Sequence, residues 1–228
     1  AGRIRVLHNE SFQDDATRIF RAIRYEQRLS FEIAEETREC MLSSMKRDIF
    51  ATISADRIRH EISLVLREEK VVNILIRAGA LQVLEHLYPP LKAASHLRKI
   101  GKPRHRNALF YLGALAYSLE VDSAEAFIRL LQMPLTWATV IRDLMTLKNM
   151  TDQVTAPRIS NSALDRILND SSPISAKVLA CLTSNTSLSN RLNLWVHRLR
   201  FIKPSLNGTD LVSLGIEEGP VVGRLLEE

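Results

Sequence analysis

This chain of 228 residues contains few cysteines, and it has neither a long apolar run nor a leader-like pattern. The only two cysteines, Cys40 and Cys181, are far apart, and neither lies in a metal-ligand spacing. This excludes a disulfide framework, and we expect both to be reduced thiols in the core of a cytoplasmic protein. No apolar run approaches the roughly 20 residues of a membrane span. No charged-then-apolar leader pattern is present either, so we expect no membrane partner.

Sustained alternation of polar and apolar residues, the pattern of strands, is also missing. Apolar residues instead recur at steps of three and four, which predicts an all-α protein. Pro89-Pro90 would end one predicted helix, and a polar stretch around 151–162 predicts a boundary in the chain. We expect three helical regions, over 1–68, 69–152 and 153–228. A net charge of +5 and a pI of about 9.4 favour a polyanionic partner, although many basic proteins bind no nucleic acid.

The most informative stretch runs from Phe12 to Tyr25, where two acids precede regularly spaced arginines. It predicts one amphipathic helix with Asp14 as its N-cap. Asp15 and Arg18, three residues apart, then lie on neighbouring parts of one exposed face. A carboxylate accepts from the amino group of cytosine or adenine, while a guanidinium donates to the adjacent ring nitrogen. The alternative is an ordinary ion pair at a solvated helix start.

Three ordered motifs resemble the class II tRNA nucleotidyltransferase and poly(A) polymerase family. The first is Ser11-Phe12-x-Asp14-Asp15-x-x-Arg18-x-x-Arg21-Ala22-x-Arg24-Tyr25, which has Ala16 where many members have proline. The second is Ser54-x-Asp56-Arg57-x-x-x-Glu61, with Asp56 in place of glutamate. The third is the end of the chain, Asn207-Gly208-Thr209-Asp210-Leu211 followed by Leu214-Gly215-Ile216 and Gly219-Pro220-x-x-Gly223. The resemblance implies helical neck, body and tail subdomains for the three regions.

The resemblance also implies roles for individual residues. The second acid and first arginine of the first motif form the family's protein template for the incoming base, which places Asp15 and Arg18 in that role. Asp14 and Arg21 would hold them in place. We expect Arg57 and Glu61, an i, i+4 pair on one helix, to support the neck structurally.

Two basic clusters are candidates for contacts with the RNA backbone. The first comprises Arg98, Lys99, Lys102, Arg104 and Arg106, and the second comprises Arg198, Arg200 and Lys203. By the resemblance, they would grip the acceptor stem and elbow of tRNA. The alternative for the first cluster is a solvated surface loop without a ligand.

Residues that could catalyse nucleotidyl transfer are missing from the sequence. The family binds Mg²⁺ through an Asp-x-Asp pair that follows a Gly-Gly loop, and this chain contains neither pattern. The six histidines form no metal-binding motif. We therefore expect this chain to bind no metal and to be inactive alone. ATP and CTP would be the substrates of a catalytic head, joined in cis, that lies outside it. The alternatives are a non-catalytic helical RNA-binding or scaffolding module and a fragment of a poly(A) polymerase.

Overall fold

The described residues fold almost entirely as helices, which confirms the all-α prediction. The computed structural model describes residues 2–91, 94–101, 107–202, 208–217, 219 and 221–223. Its first helices are α1 (Ser11–Asp14), α2 (Thr17–Leu29), α3 (Glu35–Met45), α4 (Ala55–Leu66), α5 (Val71–Ala80), α6 (Val83–Leu87) and α7 (Ala108–Ala116). They are followed by α8 (Val121–Leu130), α9 (Leu135–Asn149), α10 (Thr151–Val154), α11 (Asn161–Leu168), α12 (Pro173–Leu182), α13 (Thr186–His197) and α14 (Gly208–Ser213).

Short elements complete the fold. Three 3-10 helices cover Ile49–Thr52, Ser95–Lys99 and Leu199–Phe201. Two strands of two residues each, β1 (Arg3–Ile4) and β2 (Glu32–Ile33), pair in parallel on either side of α1 and α2 in sequence. This pairing ties the residues before α1 to the end of α2. Over the described parts of the chain, no helix has both the length and the apolar character to cross a membrane.

One hydrophobic core runs through the described helices, from Phe12 on α1 to Leu199 after α13. Helix α7 lies near its centre, as its apolar composition predicts, and packs against α9 and α12. Gly113 permits this close approach. A Cβ atom at Gly113 would lie 3.1 Å from Val178 on α12 and 3.3 Å from Val140 on α9. The tail helix α12 therefore shares its core with the body, and the division into three subdomains stays a prediction.

Two expectations about the first motif are wrong in detail. The predicted single helix is divided into α1 and α2, and Asp14 is the last residue of α1 rather than an N-cap. The division lies at Asp15, whose backbone is extended, with φ −157° and ψ 100°. Its carboxylate accepts hydrogen bonds from the amide nitrogen of Thr17 at 3.0 Å and the Thr17 hydroxyl at 2.6 Å. This local bonding favours the break over a continuous helix.

The cysteines also differ from expectation. Both thiols are free, but Cys181 is exposed and Cys40 is only partly buried, so neither is a core thiol. Position explains the difference at Cys181, because the apolar neighbours Leu179, Ala180 and Leu182 point into the core. A helix with a buried face still leaves one position in each turn towards solvent.

Candidate nucleotide-recognition site

Asp15 is held as a charged acceptor between α1 and α2. Its Oδ1 atom accepts both bonds from Thr17, while its Oδ2 atom lies 2.9 Å from Nη2 of Arg57 on α4. Burial by itself would raise the pKa of Asp15, but the Thr17 bonds and the Arg57 charge outweigh it and lower the pKa below its ordinary value. The side chain is one-fifth exposed, at 20%. Asp15 is therefore an ionised acceptor, with one oxygen bonded to Thr17 and the other paired with Arg57.

Arg18 is held just as firmly from the other side. Its Nη1 atom donates to the carbonyl oxygen and to the hydroxyl of Ser11, both at 2.9 Å. Oδ2 of Asp14 lies 3.8 Å from the same nitrogen. These two bonds use both hydrogens of Nη1. Among the described residues, Nε and Nη2 of Arg18 have no partner, and 40% of the side chain is exposed.

The side chains of Asp15 and Arg18 do not bond each other within the described residues. The amide nitrogen of Arg18 donates to the Asp15 carbonyl oxygen at 3.1 Å, at the start of α2. Both oxygens of the Asp15 carboxylate have protein partners, whereas Nε and Nη2 of Arg18 have none among the described residues. An acceptor and a donor at neighbouring positions can bind an exocyclic amino group next to a ring nitrogen.

Arg57 and Glu61, four residues apart on α4, do not pair with each other within the described residues. Arg57 contacts Asp15 instead, and Glu61 lies 3.5 Å from Nη2 of Arg24 on α2. The reason is burial: Glu61 is only 8% exposed and faces α2, where an arginine can neutralise it. Both residues join α4 to α2, and Arg57 does so at the site itself. The structural role assigned to them stays a prediction.

Further ion pairs anchor α2 to the neighbouring helices. Glu26 accepts two hydrogen bonds from Arg77 on α5, at 2.9 and 3.0 Å. Arg24 lies between Glu61 and Glu68, 3.5 Å from each carboxylate. These contacts fix the axis of α2, and with it the direction in which Arg18 projects.

Sequence reasoning missed the residues that hold the site together. Ser11 and Thr17 both lie within the first motif, yet neither was assigned a role. The Asp-x-Thr pattern at 15–17 is the available signal, since an aspartate commonly bonds the backbone two residues on. Asp14 contacts His8 at 3.4 Å as well as Arg18. Arg21 is exposed, and in the described residues it contacts neither Asp15 nor Arg18, so its role stays a prediction.

The described residues of the two basic clusters make no hydrogen bond or ion pair with Asp15 or Arg18. Nζ of Lys99 donates to the carbonyl oxygen of Leu182, at the end of α12, at 3.0 Å. The guanidinium of Arg200 lies 4.8 Å from the centre of the Phe201 ring. Arg98 and Arg198 are exposed. The remaining predicted contacts lie outside the described residues: Lys102, Arg104, Arg106 and Lys203.

Known proteins with similar sequences span the whole chain. The A-adding tRNA nucleotidyltransferase of Geobacter sulfurreducens is 29% identical over 98% of this chain and 28% of its own length. That of Halalkalibacterium halodurans is 26% identical over 99% of this chain and 53% of its own length. The chain thus spans between about a quarter and about half of these curated relatives. No protein-family model matches the sequence.

The fold agrees with these relatives. The Thermotoga maritima CCA-adding enzyme complexed with tRNA superposes with a TM-score of 0.79 at 22% identity, over 99% of this chain and 58% of that one. Fold and site together define an all-helical module that carries an acid–arginine pair at the start of its second helix. The family resemblance drawn from the motifs is confirmed. Along almost its whole length, the chain is homologous to A-adding and CCA-adding tRNA nucleotidyltransferases.

Proposed function

We propose that this chain selects the incoming base, and positions the RNA, for a tRNA 3′-end nucleotidyltransferase of the CCA- or A-adding kind. The observation that carries the proposal is the pair Asp15 and Arg18. Each is held by residues outside the pair, Asp15 by Thr17 and Arg57 and Arg18 by Ser11, and Nε and Nη2 of Arg18 have no partner among the described residues. If the pair only stabilised the helix, we would expect the Asp15 carboxylate and the Arg18 guanidinium to bond each other. A template needs fixed groups that remain free for a ligand.

The chemistry of the pair favours cytosine and adenine. Both bases present an amino donor beside a ring-nitrogen acceptor, which the Asp15 carboxylate and the Arg18 guanidinium complement. Uracil and guanine present a carbonyl beside an N–H, which leaves like groups facing each other. Discrimination then comes largely from rejecting U and G, because an unpaired polar group in a closed site is costly. CCA-adding enzymes of this fold have been solved with ATP and with CTP.

The bond-forming chemistry would reside in a catalytic domain outside this chain, joined in cis. Mg²⁺ would be held there by an Asp-x-Asp pair, which this sequence does not contain. In the described part of the chain, no three His, Cys, Asp or Glu side chains cluster so as to hold a metal ion. The residues present therefore do not fit a catalytic metal site. The role of this chain is restricted to recognition.

The RNA partner would be tRNA, gripped at its acceptor stem and elbow by the basic residues of the body and tail. The net charge of +5 supports this, as does the tRNA complex of the Thermotoga maritima relative. Reading the gene upstream separates this proposal from a non-catalytic RNA-binding module. Gly-Gly and Asp-x-Asp motifs ahead of this chain support the enzyme, and a reading frame without them supports the module.

The decisive test exchanges the template residues in the full-length protein that contains this chain. Asp15→Ala and Arg18→Ala are compared with Arg38→Ala, which removes an exposed arginine that pairs with Glu35 on α3. We expect either template variant to reduce the preference for ATP and CTP over UTP and GTP by roughly 5- to 150-fold. The control should leave it unchanged. The measurement is kcat/KM for each nucleotide on tRNA, and an unaltered preference in both template variants contradicts the proposal.

A further inference from the structure

We propose that Ser11 is a positioning residue that sets base specificity through Arg18. The inference rests on the proposed function, because it concerns how the recognition pair is held. Ser11 supplies two acceptors to one nitrogen of Arg18, its carbonyl oxygen and its hydroxyl, both at 2.9 Å. In the described residues, these are the hydrogen bonds that hold the Arg18 guanidinium.

The position of Ser11 is itself fixed by burial. It opens α1 and is only 6% exposed, and the next residue, Phe12, is 1% exposed in the core. The amide nitrogen of Ser11 donates to the His8 carbonyl oxygen at 3.1 Å. Helix α1 packs against both α2 and α3. Ser11 is therefore a rigid support on which the guanidinium can be oriented.

Two bonds orient the guanidinium where one would not. A guanidinium held by the carbonyl alone could pivot about that bond, whereas two acceptors from one residue define the plane of the group. The edge formed by Nε and Nη2 is then the one that points away from the protein contacts. This edge would meet the ring acceptor of cytosine or adenine.

Loss of the hydroxyl would release one hydrogen of Nη1. The next acceptor is Oδ2 of Asp14, 3.8 Å away, and a shift towards it would rotate the guanidinium. A pivoting guanidinium can also donate to the carbonyl of uracil or guanine, because its donors are no longer confined to one direction. The expected defect is therefore in the choice of base rather than in folding.

The orientation of Arg18 can be measured directly in the 228-residue chain. In NMR spectra of the labelled guanidinium, we expect separate signals for the two Nη groups of Arg18, and their merging in Ser11→Ala as rotation becomes faster. Ser44→Ala is the matched control. Ser44 is also a buried serine, 1% exposed, but its hydroxyl has no hydrogen-bond partner among the described residues. Unchanged Arg18 signals in Ser11→Ala overturn the inference.

The functional readout is the nucleotide preference of the full-length protein. We expect Ser11→Ala to lower the kcat/KM ratio of ATP and CTP over UTP and GTP roughly tenfold, with little change in thermal stability. Ser44→Ala should leave that ratio unchanged. If Arg18→Ala abolishes the preference but Ser11→Ala does not alter it, the role of Ser11 is wrong and the proposed function stands. If Asp15→Ala and Arg18→Ala also leave the preference intact, the proposed function is wrong.

Discussion

Asp15 combines a structural role with the recognition role that we propose for it. One carboxylate oxygen closes the turn into α2 through Thr17, and the other meets Arg57. Its backbone is extended, so the carboxylate projects between helices instead of along one. The same interactions that shape the chain therefore keep the acceptor ionised. This dual use explains why two acids occur in succession, since Asp14 remains free to contact His8 and Arg18.

The charge of Asp15 predicts a pH dependence of stability. Burial raises its pKa, but Thr17 and Arg57 lower it by more, so the folded pKa lies below the unfolded value of about 3.9. Stabilisation by such a carboxylate is complete above the unfolded pKa and is lost as pH falls through the folded pKa. We expect Asp15→Asn to lower the free energy of unfolding at neutral pH, and its deficit to shrink below about pH 4. Urea unfolding across this range tests it; a deficit independent of pH contradicts it.

At the scale of elements, α2 is the helix on which the site depends. Ile19, Phe20 and Ile23 bury one face in the core. The arginines on the remaining surface diverge: Arg18 meets α1, Arg24 meets α4, and Arg28 pairs with Glu68 beyond α4. Arginines spaced three to four residues apart in the sequence thus make different contacts at each position. We propose that Arg18 serves recognition, whereas Arg24 and Arg28 set the packing of α2.

Removal of Arg24 should show how strongly α2 depends on its buried charges. Arg24 is 7% exposed and lies between the carboxylates of Glu61 and Glu68. Arg24→Met would leave the buried Glu61 without its cation, while Glu68 keeps Arg28, and we expect the loss to cost about 3 kcal/mol of unfolding free energy. Arg21→Met, one turn earlier on the exposed side, should change it by less than about 0.5 kcal/mol. Equal effects in denaturant unfolding of the two variants would refute this account.

At the scale of the whole molecule, the body and tail share a core. Helix α12 packs against both α7 and α9, and Ser175 on α12 donates to the Val140 carbonyl oxygen at 2.8 Å. Trp195 on α13 is 2% exposed and donates to Asp165 on α11 at 2.8 Å. The polar stretch around 151–162 is bridged by the short helix α10. A shared core of this kind favours unfolding in one step.

Cooperative unfolding can be followed at both tryptophans of the chain, Trp137 and Trp195. Trp137→Phe leaves Trp195 as the reporter of the tail, and Trp195→Phe leaves Trp137 as the reporter of α9. In each variant, we expect the midpoint from fluorescence to coincide with the midpoint from far-ultraviolet circular dichroism. Separate midpoints would show that the predicted boundary near residue 153 divides two independent units.

Local patterns were sufficient to predict much of this fold. Ser172 followed by Pro173 is typical of a helix start, and the Ser172 hydroxyl accepts from the Ile174 amide nitrogen at the start of α12, at 3.2 Å. The apolar composition of 107–119 indicates a central helix, and α7 lies within this range. Such features depend on neighbours in sequence, so one chain is enough to recognise them. The exposure of Cys181 was predicted wrongly, because burial depends on which side of α12 meets the core.

The sequence by itself determined the helical class and the relationship to tRNA nucleotidyltransferases, and it led to the proposal that Asp15 and Arg18 recognise the base. Only the tertiary structure decided which residues hold them. The packing of α1, α2 and α4 brings Ser11 to Arg18, and Thr17 and Arg57 to Asp15. It also pairs Glu61 with Arg24 and not with Arg57. The physical reason is that a charged side chain takes the partner that best satisfies it in its buried surroundings. Spacing along one helix cannot show which partner that is.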